Sequence, residues 1–165
     1  MTIDAQIGPF KESERSLFLK YFGQLKKRYL VLGDRNYPSK EMMLRIVNQG
    51  VHYCFRVKEK ENEVVSKFVV SGAKQQIVSI PLSKKALSFE KEKNPSSTIA
   101  CRLIRIALEN GDIKLLATSL LDEEHYEYDQ FEAPYHTRWN VEEEYKLLKS
   151  RIEIEAFSGR TSRSI

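Results

Sequence analysis

The chain has 165 residues, 41% apolar and 30% charged, which bounds it to one domain, or part of a larger one, with a charged surface. A formal charge of +4 and a pI near 9.0 permit a nucleic-acid partner without requiring one. No apolar run is long enough to span a bilayer, no signal-peptide pattern is present, and the three histidines and two cysteines have no zinc-like spacing.

In chain order, residues 2–7 alternate as a short strand, ended by Gly8-Pro9. Ser13 can cap a helix over 14–27 that places Leu17, Phe18, Tyr21, Phe22 and Leu25 on one face. Residues 29–32, Tyr-Leu-Val-Leu, predict a short, fully buried strand. After Gly33-Asp34-Arg35-Asn36-Tyr37-Pro38, Ser39 can cap a helix over 40–48, ended by Gly50. Residues 52–57 predict another strand. The first third therefore reads β-α-β-α-β, with its later strands parallel and an α/β fold class implied. Cys54 and Cys101 each sit in an apolar, strand-like run, which predicts two buried, reduced thiols, with a structural disulfide as the alternative that nothing in the sequence supports.

Asp34 stands at the C-terminal end of a predicted strand, just before a loop and a helix. In open α/β sheets ligands gather outside that end, where a carboxylate can present its oxygens to a divalent metal. Gly-Asp followed by Asn36 and Pro38 is also ordinary loop chemistry, so the local pattern alone leaves a turn residue open.

From residue 58 the pattern changes. Residues 58–63 form a charged turn, and strands are predicted over 67–71, 76–82, 99–108 and 112–120, with Asn110-Gly111 as a hairpin signal. The segment 84–97 is polar and broken by Asn94-Pro95. Lys67, Lys74, Lys84, Lys85, Lys91, Lys93, Arg102 and Arg105 would suit a DNA-facing surface, or a solvated one. Residues 122–131 predict a short acidic helix.

Pro134 then opens a predicted helix through Lys149. At about 100° per residue, Tyr135, Arg138, Glu142 and Lys149 fall within roughly 60° of one another. Val141, Tyr145, Leu148 and Ile152 form the apolar stripe beside them. A carboxylate flanked by cations beside a buried face suits a metal-and-phosphate site; a solvated face with an Arg138–Glu142 ion pair has the same periodicity.

The spacing Tyr135, two residues, Arg138, three residues, Glu142, six residues, Lys149 resembles the signature of bacterial insertion-sequence DDE transposases related to the type-four insertion sequences. Arg138-Trp139, Val141-Glu142 and Ile154-Glu155-Ala156-Phe157-Ser158-Gly159 look like the family's sequence around and after this helix. Gly33-Asp34-Arg35-Asn36-Tyr37-Pro38-Ser39 looks like its strand-end motif. The resemblance implies that Asp34 is the second catalytic Asp and Glu142 the catalytic Glu, both metal ligands. It implies DNA contacts for Tyr135, Arg138 and Lys149, while Trp139 reads first as packing.

The fold implied is a partial ribonuclease-H-like, retroviral-integrase-like core over 1–57, a β-rich insertion over 58–121, helices completing the core over 122–159, and a tail over 160–165. More sheet in the same domain is the simpler reading of 58–121. The implied reaction is strand cleavage at transposon ends followed by joining to target DNA, with Mg²⁺, or Mn²⁺ in its place, in a two-metal site. The resemblance also implies transposon-end and target DNA as partners, no membrane, a bacterial cytoplasmic, nucleoid-associated location, and admits a homodimer of the intact enzyme. The family's first Asp has no assigned counterpart, since Asp4 lies in a stretch resembling a later strand. The expectation is thus a transposase fragment, truncated at both ends and inactive alone, with a non-catalytic DNA-binding or interaction remnant as the alternative. A restriction-type nuclease fits poorly, because Arg56-Val57-Lys58 has an Arg where that chemistry needs an acid.

Overall fold

The computed structural model describes residues 12–88, 97–108 and 111–133. The strand expected at 2–7 and the helix expected over 135–149 lie outside the described residues. The chain divides into two units, one formed by 1–24 with 133–165 and the other by 25–132.

In the first unit, helix α1 (Glu14–Tyr21) begins as its capping residue predicts: the Ser13 hydroxyl accepts from Ser16 N at 3.2 Å. It is shorter than expected and passes into a 3-10 turn at Phe22–Gln24. Gly23 falls inside that turn, and glycine costs a helix interior about 1 kcal/mol relative to alanine. Phe18 and Phe22 meet edge to face, with ring centroids 6.0 Å apart.

The second unit is a five-stranded mixed sheet in the order β1-β2-β5-β4-β3, with helices α2 to α4. Strands β1 (Leu30–Gly33) and β2 (His52–Val57) are parallel, joined by α2 (Lys40–Asn48). Ser39 caps α2 by accepting from Met42 N at 3.1 Å, and Gly50 (φ 73°) closes it. Arg28 N donates to Gly50 O at 2.9 Å, which ties the entry of β1 to the end of α2. The expectation of a fully buried β1 is corrected: Leu30 is 39% exposed, because β1 pairs with β2 alone among the described strands.

Residues 67–71 are not a strand but part of helix α3 (Glu63–Ser71). Their β-branched run suggests a strand, yet the chain carries both a helix start and a helix stop around it. Asn62 accepts from Val65 N at 3.1 Å, and Gly72 takes the left-handed conformation at φ 71°. Val65 and Phe68, one helical turn apart, are the buried pair. Strand β3 (Gln75–Pro81) follows, then the four-residue helix α4 (Lys84–Leu87), capped by Ser83, at the start of the polar segment 84–97. Strands β4 (Thr98–Ala107) and β5 (Ile113–Thr118) pair antiparallel across the predicted hairpin, where Gly111 has φ 83°. Strands from both sides of residue 58 thus share one sheet.

The acidic helix expected over 122–131 is replaced by a turn and a 3-10 helix, Tyr128–Phe131. The Asp122 carboxylate accepts from Glu124 N and His125 N at 3.1 and 3.0 Å and competes with helical pairing.

Register alternation sends neighbouring side chains to opposite faces. Phe55, Ala117 and Leu103 align on one face; Cys54, Thr118 and Arg102 align on the other. Helix α2 packs against β2, α3 against β3 and α4 against α2. Tyr53, Phe55, Leu103, Ile104 and Leu116 are at most 1% exposed and form the core. Phe55, Leu103, Ile104 and Leu116 each contribute about 1.5–3 kcal/mol by leaving water. Cys54 and Cys101 are buried and free, as expected from their strand contexts.

Candidate functional site

Asp34 follows directly on the last residue of β1. The backbone there is held by two devices. Tyr37 N donates to Asp34 O at 2.9 Å, closing the turn toward α2. Gly33 lets the chain pass the aromatic wall of β2: a Cβ there would lie 2.7 Å from Phe55 Cδ1 and 3.0 Å from Tyr37 Cβ. Only a residue without a side chain fits ahead of Asp34.

The Asp34 side chain is half-buried, and its Oδ1 is shielded from solvent with no hydrogen-bond donor among the described residues. A carboxylate oxygen removed from water and left without a donor is costly, by about 1–3 kcal/mol or more for a charged group. Hard divalent cations prefer such oxygens. The orphaned Oδ1 therefore fits a metal ligand and is poorly explained by a turn residue, which would spend its oxygen on a nearby N–H. Among the described residues no three His, Cys, Asp or Glu side chains converge on one point. Glu142, the other residue expected to be a metal ligand, lies outside the described residues, as do Tyr135, Arg138, Trp139 and Lys149.

The parallel strands β1 and β2 end on the same side of the sheet, so the turn after β2 is Asp34's neighbour in topology. A concavity of about 330 Å³ opens there, lined by Arg35, Val57, Lys58, Glu59, Lys60, Ile113 and Leu115. Sequence reasoning does not single out Arg35, Lys58 and Lys60 as a group. The available signal is their position, immediately after the C-terminal ends of two parallel strands.

Several cations expected to face DNA are engaged elsewhere. Arg102 is fully buried; its guanidinium donates to Tyr126 O at 2.6 Å and to Gln75 Oε1, and lies 5.1 Å from the centroid of the Phe131 ring. Arg105 donates to the carbonyl of Val69 at the end of α3 and lies 5.8 Å from the Phe68 ring centroid. These arginines hold the fold, which corrects their placement on a DNA surface. Lys67 is exposed but pairs with Glu63 at 2.7 Å, one helical turn away, which lowers the Glu63 pKa.

The buried thiols offer no nucleophile at neutral pH. Burial, reinforced by the charge of Cys101, pushes Cys54 up to about 12. Burial pushes Cys101 up to about 11 against opposing hydrogen bonds.

The family model for the transposase DDE domain matches residues 1–165, the whole chain. No curated protein matches it.

Proposed function

The chain belongs to the transposase DDE domain family, and from that premise we propose that it is the part of a type-four-like insertion-sequence transposase that carries the second Asp and the Glu of the catalytic set. Membership in the family makes it a transposase domain, of a class that transfers phosphoryl groups on DNA with divalent metal ions. The finer reading assigns Asp34 and Glu142 as the carboxylates that hold Mg²⁺, with Mn²⁺ as substitute, on a ribonuclease-H-like sheet. The observation that carries it is the buried Oδ1 of Asp34 at the C-terminal end of β1, which has no donor among the described residues. The mixed α/β sheet, with its parallel β1-α2-β2 unit, supports the fold assignment.

The chemistry such ions supply is activation of the attacking oxygen and neutralisation of charge on the leaving oxygen. The chain's own part is placement. Gly33 and the turn closed by Tyr37 hold the Asp34 carboxylate at the sheet end, and α2 opens six residues later with its N-terminus. Arg138 and Lys149 are assigned to phosphates of the DNA, which guanidinium and ammonium donors bind strongly. Tyr135 is assigned to the transposon-end DNA. Only two of the three acidic positions are matched, so the 165-residue chain assayed alone is proposed to be inactive in strand cleavage. Among the described residues no helix is long and apolar enough to cross a membrane.

The test is Mn²⁺ affinity by isothermal titration. Asp34→Ala and Glu142→Ala should each weaken binding at least tenfold, about 1.4 kcal/mol. Wild-type affinity in both variants would sink the assignment and leave a non-catalytic DNA-binding remnant as the better reading.

A further inference from the structure

We infer that the concavity beside Asp34 is a seat for the DNA phosphate backbone, with Arg35, Lys58 and Lys60 as its phosphate-binding groups; this rests on the transposase reading and adds to it a second strip of DNA-binding surface.

Three observations converge. The first is charge: the rim holds three cations against the single carboxylate of Glu59, and all four residues are exposed. The second is availability. Arg35, Lys58 and Lys60 have no side-chain ion pair or hydrogen bond among the described residues, whereas Lys20 pairs with Glu12, Lys67 with Glu63, and Arg102 and Arg105 are spent inside the fold. The third is placement. Arg35 follows Asp34 in the chain, and Lys58 and Lys60 lie on the turn after the parallel neighbour strand.

That turn is also ordered in advance. Glu61 N donates to Lys58 O at 3.0 Å, and the Ser66 hydroxyl of α3 donates to Glu59 O at 3.1 Å. The loop backbone therefore loses little freedom when the cations engage phosphate. Val57 and Leu115, both buried, give the concavity an apolar floor beside the exposed Ile113. A cationic rim over such a floor reads charge and backbone path, not sequence. The surface would hold the duplex against the sheet end irrespective of the bases that pass it.

The experiment measures the affinity of the chain for a fluorescein-labelled DNA duplex of arbitrary sequence, by anisotropy, across a salt series in EDTA. The triple variant Arg35→Ala/Lys58→Ala/Lys60→Ala is compared with Lys67→Ala/Lys74→Ala/Lys84→Ala. The first should weaken binding by about tenfold or more and flatten the log–log salt slope by about 0.9 for each phosphate no longer neutralised. The second should leave both near wild type. If the first triple fails to fold, Lys58→Gln/Lys60→Gln, which keeps most of each aliphatic stem, carries the same prediction for two phosphates. An unchanged slope in the variant of the concavity, equal losses in both triples, or no duplex binding by the wild type would each overturn the inference. Because EDTA removes the metal, this result is independent of the Mn²⁺ titration, so the two readings fail separately.

Discussion

Gly33 and Phe55 are register partners on adjacent parallel strands, and the Phe55 ring fills the space a side chain at Gly33 would need, with Cδ1 and Cε1 at 2.7 and 2.8 Å from an added Cβ. Phe55 is fully buried and stacked on Tyr53, with ring centroids 5.1 Å apart, so it has little room to yield. Gly33→Ala should therefore destabilise the chain by about 1–3 kcal/mol, the usual cost of overpacking a filled core. It should also displace the neighbouring Asp34 and weaken Mn²⁺ binding. Urea unfolding checks the first effect; a wild-type midpoint would show that the strands part without cost.

Arg102 tests where the interior cations act. Its guanidinium bridges β4 to Gln75 on β3 and to Tyr126 in the segment after β5. Arg102→Ala should cost about 2–4 kcal/mol, from lost packing and a carbonyl left without its donor. Lysine should recover little of this, since it lacks the planar fork. The salt slope of DNA binding should not move. A flattened slope with normal stability would return Arg102 to the DNA surface.

The two thiols make a prediction about pH. Cys54 and Cys101 ordinarily titrate near 9, and in the folded chain they are pushed up to about 12 and about 11. Between pH 9 and these values the unfolded chain releases protons that the folded chain keeps. Their contribution to stability is therefore fully present below pH 9 and is lost as pH rises through 11 to 12. Replacing both with Ala or Val should flatten the fall in unfolding free energy above about pH 9. At about pH 8 a thiol-specific reagent should label the wild type only as fast as it unfolds. Rapid labelling of the native protein would show that the thiols are accessible.

Much of the second unit is legible in the sequence because its signals are local. Ser39 marks a helix start through its own hydroxyl, as Ser13 does in the first unit, and Gly50 and Gly111 supply positive φ where chain reversals need it. The runs at 52–57 and 99–108 are long and apolar enough to be strands in almost any setting. Residues 67–71 mislead because a Val-rich run is consistent with either element, and what decides is a cap five residues upstream together with the burial of Val65 and Phe68. Arg102 and Arg105 mislead because a basic residue in an alternating strand looks solvent-facing until another segment covers that face.

The sequence by itself determined the family, the strand-end position of Asp34 and the order of most elements, since each rests on neighbours a few residues apart or on a fixed spacing. Tertiary structure alone decided which cations are spent holding the fold and which, among the described residues, are free at the sheet end, and that the Asp34 oxygen is buried with no donor among those residues. Those are properties of segments far apart in the chain, set by burial and by competition for hydrogen-bond partners, and no local pattern encodes them.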